Sequence, residues 1–189
     1  MTDFLRNTAT YEEQIQDVLT PYYFEVDQLK GYCSELGSDK YYRRSQYDDA
    51  EMEVHPENFK TPFNSNIKLS SLGIGTYIGQ PDDYTDYLMY DAIKNGVLSG
   101  GINHIDTAPN YRYMKSERTV GKVLSTLDNK YGIKRSELFI STKVGYIPED
   151  ADKLISRREM TEKLIKDFKV PEDEIVKESG HCLHPSFLE

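Results

Sequence analysis

Between residues 67 and 143, short apolar runs alternate with long amphipathic stretches in the order strand, helix, strand, helix, strand. "IKLSSLGIGT" (67–76) alternates apolar and small polar residues and ends in glycines, the pattern of a strand running into a loop where backbone approaches a ligand. "DDYTDYLMYDAIKNGVLSGG" follows, with Asp82 and Asp83 as candidate caps, an expected buried stripe through Tyr84, Leu88 and Ala92, and stop signals at Gly96 or Gly100. "INHIDT" reads as the second strand. "SERTVGKVLSTLDNKYG" reads as the second helix, with Ser116 as cap, Val120, Val123, Leu124 and Leu127 on the buried face, and Gly132 at its end. "LFISTK" has the continuous apolar start of a strand buried on both faces. Alternation at this spacing builds βαβ units, which predicts an α/β fold with a parallel sheet and right-handed crossovers.

Functional residues of parallel α/β folds sit at the carboxyl ends of the strands and in the loops just beyond them. Asp106 ends the second strand, Tyr111 lies in the next loop, and Lys143 ends the third, so all three are expected on one face. A phenol is a poor acid near neutrality, with an unperturbed pKa of about 10. A neighbouring ammonium favours its ionised form, and a carboxylate beyond keeps that ammonium charged and oriented. The trio suits delivery of a proton to a carbonyl oxygen while a cofactor delivers hydride to the carbon.

"LGIGT" at 72–76, "GINHIDTAPNY" at 101–111, Glu117 and Gly121 in the following helix, and "STK" at 141–143 together resemble the first three βα units of the aldo-keto reductases. The resemblance implies an NADPH-dependent enzyme that reduces an aldehyde or ketone, on a (β/α)8 TIM barrel present here only in part. It implies that Asp106, Tyr111 and Lys143 are three members of the family's catalytic tetrad. Gly75, Thr76 and Tyr77 would border the nicotinamide end of the NADP(H) cofactor, with Asp106 and Lys143 beside them. The fourth member is a histidine at the end of a fourth strand, which does not follow. His181 and His184 precede the place where that strand would begin and are not assigned to the tetrad. The tail "GHCLHPSFLE" is similar to the segment leading into the third helix of some members. Pro185 and the Ser186–Glu189 spacing mark a helix start, which reads as a barrel truncated before its fourth strand. A single polar helix is expected at about Ala151–Phe168.

Residues 1–66 match no part of that family. They carry six Lys and Arg against thirteen Asp and Glu, compared with seventeen against nineteen in residues 67–189. Tyr11, Ile15, Val18 and Leu19 predict one helix, capped through Thr10 and Glu13. Phe24, Leu29, Tyr32, Cys33 and Leu36 predict a second that stops at Gly37. From Ser38 to Asn66 no period is visible, the mark of a linker or of an arm held against its own domain or another chain. Domains are therefore expected at 1–66 (acidic extension) and 67–189 (barrel part).

A net charge of −9 argues against nucleic acid as a partner. Two cysteines without Cys-x-x-Cys spacing indicate neither a disulfide framework nor a zinc site, and no run of eighteen apolar residues occurs, so a cytoplasmic protein away from membranes is expected. His104 reads as a core histidine, Cys182 as a buried thiol, and Tyr22, Tyr23, Tyr41 and Tyr42 as half-buried packing residues. Only 123 residues follow Asn66, against about 250 in a typical barrel. The chain alone is thus expected to be inactive. The competing expectation is a catalytically inactive reductase remnant serving as a structural subunit, with a protein partner covering the open sheet and the N-terminal arm.

Overall fold

The computed structural model describes residues 29–47, 54–62 and 64–188. The helix expected around Tyr11–Leu19, and Tyr22, Tyr23 and Phe24, lie outside the described residues. The elements in chain order are α1 (Glu35–Tyr47), β1 (Phe59–Lys60), β2 (Leu69–Ser70), β3 (Gly73–Gly75), α2 (Asp83–Leu98), β4 (His104–Asp106), α3 (Lys115–Tyr131), β5 (Phe139–Ser141), α4 (Arg157–Lys166), β6 (Ile175–Val176), β7 (His181–Cys182) and α5 (Pro185–Leu188).

The expected βαβαβ unit is present. Strands β3, β4 and β5 form a parallel sheet in that order, with Gly75, Asp106 and Ser141 in register at one level and Gly73, His104 and Phe139 in register below. Strand side chains alternate between faces. Ile74, Ile105 and Ile140 therefore share the face that packs under α2 and α3, in one core with Tyr90, Ile93, Val97, Val120, Val123, Leu124, Leu127 and Leu138. His104 and Asp106 share the other face. A Cβ on Gly73 would come within 3.0 Å of His104 Nδ1, so the glycine makes room for the imidazole. His104 is half-buried rather than fully enclosed, with its ring edge-on to Phe139 at 5.3 Å.

The second helix follows its expected face, and Gly132 ends it in the left-handed conformation. Four other expectations are corrected. The single strand across 67–76 is broken: Ser70 N–H donates to Asn103 Oδ1 (2.8 Å) and Asn103 N–H donates to Ser70 Oγ (3.0 Å), so side chains replace the ladder there. Its first half instead pairs antiparallel with β1. In α2 the buried residues are Asp86, Tyr90, Ile93 and Val97, whereas Tyr84, Leu88 and Ala92 face outward. Tyr90 decides this by reaching α3, where its hydroxyl bonds Thr126 Oγ1 at 2.9 Å. Helix α4 begins only at Arg157, because Ser156 and Glu159 form the capping box.

The fourth correction concerns the second expected helix: Leu29, Tyr32 and Cys33 precede α1 without regular structure, and Gly37 does not end a helix but lies inside α1. The stretch from Ser38 to Tyr47 is helical and docked. Tyr41 is fully buried, its hydroxyl 2.6 Å from Val97 O and 2.7 Å from Ile102 O, and burial pushes its pKa up. Lys40 pairs at 2.9 Å with Glu137, a carboxylate fully buried at the foot of β5. Phe59 and Tyr41 belong to the same core as the sheet. The weak apolar periodicity of α1 hid it: its hold on the core is Tyr41, the half-buried Tyr42 against Phe59, and several ion pairs.

Residues after β5 form a small lobe with its own core of Ile147, Leu164, Val170, Ile175 and Cys182, closed by the β6–β7 antiparallel pair. Cys33 and Cys182 are free and buried.

Gly37 supplies a test of the docking of α1. An exposed helical glycine normally gains stability on becoming alanine, by roughly 1 kcal/mol. Here the new Cβ would lie 2.0 Å from Ser136 O, a backbone atom that cannot swing aside. Gly37→Ala is therefore expected to destabilise the chain by about 1–3 kcal/mol in urea unfolding, and a stabilised variant would refute the docking.

Candidate active site

Asp106 is the last residue of β4, held on both sides by the parallel ladder. Its carbonyl accepts from Thr76 N–H (3.0 Å) and Thr76 Oγ1 (3.1 Å), and Thr107 N–H donates to Ser141 O (2.9 Å). These bonds carry the register one step past the strand ends. Lys143, two residues beyond Ser141, returns over the same face: Nζ donates to Asp106 Oδ2 (2.6 Å), Asp106 Oδ1 (3.1 Å) and Thr107 O (3.1 Å). Ser141 Oγ donates to Asp106 Oδ1 at 3.1 Å, and His104 Nε2 lies 3.4 Å from that hydroxyl.

Tyr111 completes the group. Its ring centre is 4.6 Å from the Lys143 ammonium, and Tyr77 meets the ring edge-on at 5.0 Å between centres. Tyr111 is placed by an unusual turn. Arg112, Tyr113 and Met114 all have positive φ, at 50°, 53° and 71°. Left-handed backbone costs a non-glycine residue roughly 1–2 kcal/mol, so the surroundings must hold this segment. The chain enters α3 through it, which overturns the expected Ser116 cap: Met114 is the residue before the helix, and the Ser116 hydroxyl turns inward to donate to Thr76 O at 2.7 Å.

The structure thus brings Asp106, Tyr111, Lys143 and Tyr77 together. Thr76 is fully buried, and its hydroxyl also bonds Thr107 Oγ1 at 2.9 Å, so it braces the floor of the site. Gly75 ends β3 at the Asp106 level with open space where a Cβ would point. His181 and His184 belong to the following lobe, where His181 stacks edge-on against Tyr146 and His184 Nδ1 accepts from Ser186 N–H. Ser141 and Thr107 were not singled out from the sequence. A serine inside "STK" and a threonine after "HID" look like ordinary strand-end residues until the register is known.

The electrostatics are those of an ion pair open to water. Hydrogen bonding to Lys143 holds the Asp106 carboxyl below its ordinary range, with burial acting against it and Ser141 adding to it. Hydrogen bonding to Asp106, then to Tyr111, pushes the Lys143 ammonium above its ordinary value. The side chains are 40% and 49% exposed, so the pair contributes less than about 1 kcal/mol to stability.

Residues 71–170 match the family model of the aldo/keto reductase family, more than half of the chain. The chain belongs to that family. Aldo/keto reductases are oxidoreductases that generally use NAD(P)H and act on carbonyl substrates. The match runs from β3 through the three-stranded parallel sheet and into the lobe beyond α4. Among the described residues the sheet is not closed into a barrel. No helix among them is long and apolar enough to cross a membrane.

The pair sets its own pH window. The lowered Asp106 value means that its contribution is complete above the ordinary carboxylate value of 3.8 and is lost as pH falls through the lower folded value. The raised Lys143 value means that the contribution is complete below 10.5 and is lost as pH rises beyond the folded value. In a carbon-13 NMR titration of the Lys143 ε-carbon, Asp106→Asn is expected to bring the midpoint down toward 10.5. An unchanged midpoint would show that the carboxylate does not hold the ammonium.

Proposed function

We propose that Asp106, Tyr111 and Lys143 are the proton-delivering part of an NADP(H)-dependent site that reduces an aldehyde or ketone to an alcohol. The observation that carries this reading is the convergence of a carboxylate, an ammonium and a phenol at the carboxyl ends of β4 and β5, within a chain of this family. Tyr111 would give its hydroxyl proton to the carbonyl oxygen as that oxygen gains negative charge. Lys143 stabilises the phenolate left behind, and Asp106 keeps Lys143 charged and aimed. When bound, the nicotinamide supplies the hydride that forms the new carbon–hydrogen bond.

The residues present fit the reacting end of such a cofactor. Gly75 leaves open space beside Asp106, and Tyr77, 70% exposed, offers a flat apolar ring next to Tyr111. In this reading Thr76 acts as a brace rather than through its hydroxyl, which is engaged internally. NADPH in preference to NADH rests on the family resemblance. A cytoplasmic location agrees with two free buried thiols, and the net charge of −9 is unfavourable for nucleic-acid binding.

One observation favours a second reading for residues 1–189 taken alone. Strands β3 and β5 are both sheet edges among the described residues, and the Asp106–Lys143 pair stands open to water. A chain in that state suits a structural subunit whose sheet is covered by a protein partner.

The intact mass of the protein from its natural source separates the two readings. A mass above 21.8 kDa identifies a longer protein in which NADPH oxidation should be assayed with 4-nitrobenzaldehyde; a mass of 21.8 kDa directs the search to the covering partner. Activity is expected in the longer protein and absent from residues 1–189. In the active protein, Tyr111→Phe is expected to lower kcat by about 10²–10⁴-fold while NADPH binding, followed by its fluorescence, is retained. Unchanged turnover would remove Tyr111 as the proton donor.

A further inference from the structure

The three left-handed residues after Tyr111 persist only if something over-determines them. The candidate is the side chain of the first of them. Arg112 is a buried arginine, its side chain 1% exposed. Its Nε donates to Gln80 O at 3.0 Å, and its Nη2 pairs with the Asp86 carboxylate. Gln80 lies three residues beyond Tyr77, and Asp86 lies in the first turn of α2. One guanidinium therefore ties the turn that carries Tyr111 to the segment that carries Tyr77 and to the helix behind it.

Asp86 is built to receive it. Its carboxylate also accepts from Thr119 Oγ1 at 3.2 Å and pairs with Lys115 Nζ at 2.9 Å, both on α3. The start of α3 and the turn before it are thus gathered on one buried carboxylate. On the other side of the turn, Tyr113 O accepts from Ala151 N–H at 3.2 Å, a single backbone bond from the neighbouring lobe. The Tyr111 ring meets Tyr77 and Lys143, with a hydrogen bond to Lys143 beside the ring contact, and its backbone carbonyl accepts from Ser116 N–H (3.4 Å) in the first turn of α3. The course of its backbone is set by the left-handed turn that follows it, which the Arg112 side chain anchors.

We propose that Arg112, paired with Asp86 and Gln80 O, is the positioning residue that sets the Tyr111 ring over Lys143. Arg112 touches none of the reacting groups and acts through Tyr111. The significance of that position rests on the reading of Tyr111 as proton donor, but the position can be measured without cofactor, substrate or turnover.

The readout is the ring-current displacement of the Lys143 ε-methylene protons, which depends steeply on the distance and angle to the Tyr111 ring. Tyr111→Leu gives the baseline without the ring. Arg112→Gln is expected to lose at least half of the displacement. Glu137→Gln is the control, because it weakens a buried ion pair at the opposite end of β5 and should lower the melting temperature while retaining the displacement. Should Arg112→Gln not fold, Arg112→Lys keeps the charge near Asp86 but lacks the planar fork that reaches both partners. It is expected to show the same loss. A displacement retained in both Arg112 variants overturns the proposal, and so does an equal loss in Glu137→Gln, which would make the effect one of general stability. In the active protein the same Arg112 variant is expected to reduce kcat at least tenfold with NADPH affinity unchanged. If the displacement falls but turnover does not, Arg112 still positions the ring, and it is the proton-donor role of Tyr111 that fails.

Discussion

The site depends on the register of β4 between its two neighbours. Each strand of the parallel sheet has three residues, so its side chains are placed by backbone pairing over a very short length. A slip of one residue would turn every side chain to the other face. The core prevents it: Ile105 is fully buried, and replacing it by His104 or Asp106 would put a polar group under α2 and α3. Bonds beyond the strand ends, from Phe139 N–H to Asn103 O below and from Thr107 N–H to Ser141 O above, continue the same alignment. Asp106 and Lys143 meet because Ser141 is level with Asp106 and Lys143 is the next residue on that face.

A second constraint organises the charges around that face. Arg112, Lys115 and Arg118 follow one another at three-residue intervals, the first in the turn and the other two at the start of α3, and their partners Asp86, Asp150 and Asp152 come from α2 and from the lobe after β5. Arg118 grips Asp150 through two nitrogens, each at 2.7 Å. Buried ion pairs add little net stability, because desolvation offsets attraction, yet removing one partner leaves an uncompensated charge. Such a network selects one arrangement over others more than it deepens the energy minimum. It fixes where the lobe and α2 stand relative to the turn of Tyr111.

How much of this was legible follows from the kind of signal each element carries. The βαβαβ unit and the α3 face were readable because Val120, Val123, Leu124 and Leu127 repeat at helical spacing without competition. Asp106, Tyr111 and Lys143 were readable because residues at and just beyond the carboxyl ends of parallel strands gather on one face, although the left-handed turn that places Tyr111 was not. The face of α2 was not, since two stripes of similar apolarity run along it and only the partner helix chooses between them. Helix α1 was hidden because Tyr41 and the Lys40–Glu137 pair replace an apolar stripe, and a carboxylate 97 positions away cannot be paired by sequence inspection. The Ser116 cap failed for the same reason. Its hydroxyl has a tertiary acceptor, Thr76 O, that outcompetes the local one.

The geometry and the electrostatics of the proposed proton delivery are separable here. Asp106, Lys143 and Tyr111 are already in place, yet the first two are 40% and 49% exposed to water. Attraction between charges grows as the effective dielectric around them falls, so Asp106 and Lys143 would act on each other and on the Tyr111 hydroxyl more strongly once the face above them is covered. Exposed apolar residues around that end of the sheet, Tyr77, Ile78 and Val144 among them, are the surface such a cover would remove from water. In the proposed reading, covering that face would strengthen the interactions among the three side chains, the step from an aligned ion pair to a tuned proton donor.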